Sequence, residues 1–483
     1  VEGPALAGVP YRWVALGLVC TGVYLGTLDA SIVNIALPTL AREFDTTPSD
    51  VIWVTLIFVI VNTGLALTLG RLGDIYGRKT LYAAGFAIFT VAAGLSALAG
   101  SLPELLATRA LQAVGSAGVL ANGAAIVTAT FPASQRGRAL GIQVATVGAG
   151  VASGPMLGGV LVDVLDWRAI FWTRVPLGVM GTLLVWRLLR DTPPGSRPRG
   201  LDIPGSAILF GLLASLVLAV NRGDAWGWSS AEIVALFATS ATLLVVFILV
   251  ERRSLSPVVD LALFKLRGYT LSISAATAQF FGLSAVIILG PFYLVDARGF
   301  STLEAGAIMA AFPIALLVLS PFSGALSDRV GARMPSTFGL TLVCLSLLFA
   351  ATLDADSSVP GIVVRLFLIG AGTALFSSPN TATIMSSVPP DRLGTASASQ
   401  TTARTVGNAV GTAVAVALFS GQAAAYAGAR SALGLDDPAV APDAMVSGLR
   451  LALVVAAAVV ALGIPASLLR GPRPAQTAPV AAE

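Results

Sequence analysis

Histidine is absent from this chain, and only two cysteines occur in 483 residues. The first absence excludes imidazole as a metal ligand, general base or proton relay. The second excludes a disulfide scaffold or a cysteine-rich zinc site, because Cys20 and Cys344 both fall inside apolar stretches and read as small core residues. Charge is scarce as well. Asp, Glu, Lys and Arg make up 11% of the chain, against about 25% in a typical soluble domain. A water-soluble protein of this length could not cover its surface with so few charges. Lysine is nearly missing: Lys79 and Lys265 stand beside a large set of arginines, the habit of a GC-rich bacterial gene. No nucleotide loop and no metal-ligand cluster is visible, which points away from an enzyme.

What is present in excess is apolar sequence, 56% of the chain, with 50 glycines that let helices approach closely. Stretches of about 20 largely apolar residues, each long enough to cross a bilayer, lie near 13–36, 50–70, 80–100, 103–130, 136–162, 169–189, 203–221, 231–250, 269–295, 303–327, 334–353, 360–387, 394–422 and 445–469. The predicted fold class is an all-α polytopic membrane protein with fourteen spans. Most basic residues fall in alternate loops, leaving only Arg42, Arg168, Arg222, Arg298 and Arg430 on the other side. The positive-inside rule then puts both termini in the cytoplasm, with the first span as targeting signal. The net charge of +4 is accounted for by this bias and does not indicate nucleic acid. Pro-, Gly- and Arg-rich linkers divide the chain into an N-terminal six-helix bundle (1–190), linkers with two additional helices (191–267), and a C-terminal six-helix bundle with a tail (268–483).

The two bundles carry a weak internal repeat. Gly70, Asp74, Gly77 and Lys79 are matched by Gly324, Asp328, Gly331 and Arg333, each 254 positions later. Pro132, Gly137 and Gln143 are matched by Pro389, Gly394 and Gln400, each 257 later. Arg109 and Arg365 each begin the fourth span of their half. Repeats of this kind build many secondary transporters, with the substrate site between the halves.

Four motifs carry chemistry. In Gly70-Arg-Leu-Gly-Asp74-Ile-Tyr-Gly77-Arg78-Lys79 the two glycines suit a tight turn, and Asp74 can accept from the exposed N–H groups of a neighbouring helix start. Arg78 and Lys79 can hold that carboxylate, so the motif predicts a cytoplasmic latch, repeated at Asp328 and Arg333. In Leu28-Asp29-Ala-Ser-Ile-Val-Asn34 the carboxylate of Asp29 sits well inside the first span and needs a partner. Its depth below the outer end, roughly 10 Å by helix rise, matches that of Arg109 at roughly 9 Å. Two roles fit: a static buried ion pair, or a proton site whose charge Arg109 controls. Gln112, one turn after Arg109, extends the polar face. The fourth motif is the series Gly141, Gly150, Gly154-Pro155 and Gly158-Gly159 in the fifth span, costly in a helix unless bending or close packing uses it. Asn34, Gln112, Phe280, Phe281, Phe312 and Phe376 are candidate walls of a substrate cavity. Trp167, Phe171 and Trp172 read as an outer aromatic belt. Arg174, Arg404 and Arg450 lie in or near spans, as structural or substrate-facing groups.

On these motifs the chain resembles the major facilitator superfamily, and within it the fourteen-span drug:proton antiporters, over nearly its whole length. Gly70 to Lys79 is similar to the superfamily loop signature, and Leu28 to Pro38 to the first-span motif of the fourteen-span group. Arg109 to Gly118 is similar to the fourth-span motif, whose arginine the family implicates in proton coupling. Gly141 to Gly159 is similar to the antiporter motif of exporters. Two positions depart: Arg174-Val-Pro176 stands where Asn-x-Pro is usual, and Ala113-Val114 where Gln-Gly is common. The resemblance implies alternating access and export of hydrophobic or amphiphilic molecules. It also implies a proton gradient as energy source with no cofactor or metal, a monomer, and residence in a bacterial inner membrane. A proton-linked transporter of one metabolite or lipid is the alternative. Lacking histidine, such a protein would carry its proton on a carboxylate, and Asp29 is the candidate.

Overall fold

A computed structural model describes residues 4–6, 9–46, 48–190, 202–254, 261–300, 302–431 and 440–470. The predicted linker 191–201, residues 255–260, the acidic pair Asp436 and Asp437, and the tail from 471 lie outside the described residues. Apart from a short hairpin pairing Pro4–Leu6 with Val9–Pro10, the described chain is helical. The long helices are α1 (Tyr11–Glu43), α2 (Trp53–Tyr76), α3 (Arg78–Ala97), α4 (Leu102–Thr130), α5 (Arg136–Val164) and α6 (Arg174–Leu188). Then come α7 (Ile203–Trp226) and α8 (Ala231–Arg253). The last six are α9 (Arg267–Phe292), α10 (Ala311–Val330), α11 (Arg333–Ala350), α12 (Val359–Ser386), α13 (Leu393–Ser431) and α14 (Val440–Leu468). A short turn of helix, Ala169–Trp172, precedes α6, and Thr302–Met309 precedes α10.

Helix starts follow local chemistry. Ser101 caps α4 by accepting from the Glu104 N–H, and Glu104 reaches back to the Gly100 N–H at 2.9 Å. Asp202, Ser230 and Ser358 cap α7, α8 and α12 in the same way. Gly77 (φ 97°) and Gly331 (φ 84°) join α2 to α3 and α10 to α11 in a conformation that a Cβ would strain.

Among the described residues, twelve helices are long and apolar enough to cross a membrane. The expected fourteen include α5 and α13, which are not among those twelve. Both are long, 29 and 39 residues, but side chains at 155, 156 and 163 in α5 and at 420 and 423–431 in α13 lie outside the described residues, so neither offers an unbroken apolar run of that length among the described residues. Helix α5 lies against α1 of its own half and α10 and α12 of the other, and α13 lies against α9 and α14 of its own half and α2 and α4 of the other. The glycines of both helices permit these close approaches.

The same pairs show an approximate two-fold relation. If α1–α6 map onto α9–α14, the α5–α10 seam maps onto the α13–α2 seam, and α5–α12 onto α13–α4. Helices α7 and α8 break it. Helix α7 packs on both α2 and α13, with the Phe210 ring filling the space beside Gly64, so it covers one seam; α8 packs on α7. Its Val234, Val245 and Leu249 are exposed. One apolar core runs from α1, α3 and α4 into the second half through Met385, Leu393 and Ala396, joining the halves at the end that carries the Gly77 and Gly331 turns. With Arg71, Arg78, Lys79, Arg329 and Arg333 around these turns, it is the basic end of the molecule. A second core belongs to α9, α11, α12 and α14.

Candidate functional site

Asp29 is fully buried, and three side chains from two other helices converge on it. Arg109 Nη1 on α4 donates to Oδ2 at 2.7 Å. Gln112 Nε2, one turn along α4, donates to Oδ1 at 2.9 Å. Arg174 Nη1, the first residue of α6, donates to the same Oδ1. Arg109 is held in turn: Nη1 donates to Gln112 Oε1 at 2.6 Å and Nε to the Val54 carbonyl at 3.2 Å. Its guanidinium lies over the Phe58 ring at 4.4 Å, and the Phe171 ring lies 5.9 Å from Arg109 and 5.6 Å from Arg174.

The helical spacing of Arg109 and Gln112 sets both on one face of α4, and Asp29 meets them from α1 at the expected depth. Arg174 is the member that motif reasoning did not place. The signal was present: a guanidinium at the start of the sixth span, where Asn-x-Pro is usual, lies near the same level. The cluster holds two cations and one carboxylate. Gln112 was expected on a cavity wall, but it is fully buried and both ends of its amide are engaged within the cluster. Neutralising or moving Asp29 would leave two buried guanidiniums seeking acceptors, so protonation, hydrogen bonding and helix position are linked here.

The second constellation lies at the basic end. Asp74 Oδ1 accepts from the Gly394 N–H at 2.8 Å, and Oδ2 accepts from Thr395 N–H at 2.8 Å and Oγ1 at 3.1 Å. Asp74 on α2 of the first half thereby caps the start of α13 in the second half. Arg78 binds Asp74 Oδ1 through Nη2 at 2.9 Å and donates to the Pro390 carbonyl at 2.6 Å. Asp328 on α10 performs the reciprocal contact, its carboxylate accepting from Gly137 and Arg138 N–H, both at 2.9 Å, at the start of α5. Each half thus caps a helix of the other, and the two carboxylates and two glycines are the repeat-related residues themselves.

Several motif residues act differently from expectation. Gly70 does not form the turn, which is Gly77. A Cβ on Gly70 would lie 2.7 Å from the Gly394 carbonyl, and Gly324 meets Gly137 in the same way, so these glycines let the halves touch backbone to backbone. Lys79 is half-buried and Arg333 exposed; the recorded partner of Asp74 is Arg78, whose counterpart in the repeat is Ala332. Gly141 faces the Ser320 carbonyl on α10, but Gly150 and Gly154 face Thr27 and Ser31 on α1 of their own half. The glycine series therefore serves two interfaces. Gly158 is buried, and nothing lies within 4 Å of a Cβ on Gly159, so that residue is not at a tight contact. Helix α5 runs unbroken through Pro155, whose side chain lies outside the described residues, as does that of Asn34.

Phe376 does not line a cavity. It is 1% exposed in the second core, 5.7 Å from the Arg470 guanidinium. Phe280, Phe281 and Phe312 are half-buried. Trp167 and Phe171 are buried against each other and Phe44, leaving Trp172 exposed, so they pack the bundle and form no belt. Arg365 does not mirror Arg109: it binds the Phe349 and Gly361 carbonyls at the end of its bundle.

The sequence profile of the Major Facilitator Superfamily matches residues 19–412. The chain is 34% identical over 413 residues to the riboflavin transporter RibZ of Clostridioides difficile, covering 85% of this chain and 88% of that protein. It is 34% identical over 402 residues to the multidrug resistance protein Stp of Mycobacterium tuberculosis, covering 83% of this chain and 74% of that one. The crystal structure of the human organic anion transporter MFSD10 (TETRAN) superimposes with a TM-score of 0.65 at 16% identity, over 94% of this chain and 99% of that chain. This last likeness concerns the fold alone.

Proposed function

The chain belongs to the major facilitator superfamily, and on that premise we propose that it exports hydrophobic or amphiphilic small molecules by proton-coupled alternating access. As a member of that family it is a multi-pass membrane transporter of a small molecule and not an enzyme. In this reading fourteen helices span a bacterial inner membrane, α5 and α13 among them, and the basic end faces the cytoplasm. The observation that carries it is the Asp29 cluster: a fully buried carboxylate shared by Arg109, Arg174 and Gln112 in a chain without histidine. Proton arrival at Asp29 would release its arginines and change how α1, α4 and α6 pack. The exchanged Asp74 and Asp328 caps give the other half of the cycle, a closed basic end that opens when the halves rock apart. Phe280, Phe281 and Phe312 supply apolar surface for the cargo. Multidrug resistance protein Stp, a relative over most of the chain, supports export. RibZ favours a second reading, proton-linked transport of one metabolite.

The test is dye and drug efflux in inverted vesicles with an imposed pH gradient, with riboflavin in the panel. Broad export driven by the gradient is expected. Counterflow confined to riboflavin would install the second reading, and transport indifferent to the gradient would remove proton coupling.

A further inference from the structure

Of the three arginines that the motifs left unassigned, two find protein partners. Arg174 closes on Asp29. Arg450 donates to the Ala351 and Leu353 carbonyls at 3.0 and 3.3 Å, a structural clasp at the end of α11. Arg404 finds none. Among the described residues it has no hydrogen bond, ion pair or ring contact, although it sits about three turns inside α13. It is half-buried, so its guanidinium retains access to a space.

The contacts of α13 show which space. Gly394, Ala398 and Thr405 face Gly70 and Thr63 on α2. Gly407 and Gly411 face α9 at Thr277 and Phe281. Val406 joins the apolar cluster of α7, and Val410 is exposed on the outer surface. At about 100° per residue, Arg404 and Asn408 fall on the remaining arc, between α9 and α2, which faces the gap between the halves. Asn408 lies one turn from Arg404, and its Oδ1 is buried without a donor. Depth follows from Ala398, which shares a cluster with Ala121 of α4. Arg404 is six residues from Ala398 and Gln112 nine from Ala121, so the two lie within roughly 5 Å of the same level by helix rise.

An unpaired guanidinium at mid-membrane is unfavourable unless something neutralises it. Among the described residues no side chain does, and the Asp29 cluster across the gap already carries an excess positive charge. We propose that Arg404, assisted by Asn408, is the subsite for an anionic group, so that this transporter takes amphiphilic carboxylates bearing a neighbouring hydroxyl or N–H. The guanidinium fork receives the carboxylate oxygens and the Asn408 oxygen receives the neighbouring donor. For transport this deepens the export reading and rests on it; for binding it stands alone.

The test uses two xanthene dyes that differ in charge, fluorescein with a free carboxylate and rhodamine 6G, an esterified cation. Binding to the full chain in nanodiscs is read by anisotropy for the wild type, Arg404→Gln and Arg404→Lys. Fluorescein should bind the wild type, weaken about tenfold to a hundredfold in Arg404→Gln, and recover largely in Arg404→Lys, with rhodamine 6G affinity unaltered throughout. The proposal is overturned if the wild type binds no fluorescein or prefers rhodamine 6G. It is equally overturned if Arg404→Gln keeps fluorescein affinity, or if both substitutions weaken both dyes alike. Binding that follows this pattern without gradient-driven export in vesicles would refute the transport reading and leave the subsite in place.

Discussion

Replacing Asp74 by Asn tests whether the exchanged caps hold the basic end shut. Asn keeps one acceptor oxygen of the same size, so sterics hardly change. One of the two helix-start N–H groups of α13, on Gly394 or Thr395, loses its acceptor, and the surviving bond loses its charge. Arg78, 5% exposed, loses its counter-ion and retains the Pro390 carbonyl. Hydrogen bonds to charged groups contribute about 1.5–3 kcal/mol each, and partial replacement by the amide leaves a net loss of about 3 kcal/mol. That corresponds to roughly a hundredfold shift in the closed-to-open ratio. The assay is a distance measurement by pulsed electron resonance. Spin labels go at Tyr76 and Met334, exposed residues beside the turns of opposite halves, after Cys20 and Cys344 are replaced. A longer distance should dominate in Asp74→Asn. Asp328→Asn should lengthen it less, because Asp328 is only half-buried and water screens what it loses. Identical distance distributions for wild type and Asp74→Asn would refute the argument.

Asp29→Asn should abolish gradient-driven efflux in inverted vesicles while the protein stays monodisperse; undiminished efflux would exclude Asp29 as the proton site. Arg109→Lys should lower transport by more than about tenfold, because an ammonium cannot serve Asp29, Gln112 and the Val54 carbonyl together; transport rates at saturating dye decide it. Gly150→Ala should destabilise by about 1–3 kcal/mol through overpacking against Thr27, and Gly159→Ala should be neutral; thermal unfolding in detergent that ranks them the other way would contradict the packing described. Gly77→Ala should cost about 1–2 kcal/mol from its positive φ alone, with Gly331→Ala similar, read by the same melts.

The apolar stretches determined the helices by themselves, because span length and hydropathy are one-dimensional quantities. The repeat determined that two carboxylates would act alike, and helix rise brought Asp29 and Arg109 to one depth. Each of these is a coordinate along the membrane normal. What the sequence does not encode locally is azimuth: which helix stands beside which, and which way a side chain turns. Only tertiary packing decided that Arg174 closes on Asp29, that Phe376 and Trp167 fill cores, and that Gly70 serves a backbone contact while Gly77 makes the turn. Packing also exchanged the caps between halves. Asp74 could cap any helix start within reach, and the approximate two-fold relation of the bundles places α13 there, as it places α5 beside Asp328. Arg404 shows the same division. Its charge and its depth in the bilayer are legible in the sequence, but that no described side chain answers it follows from where α13 stands between the two halves.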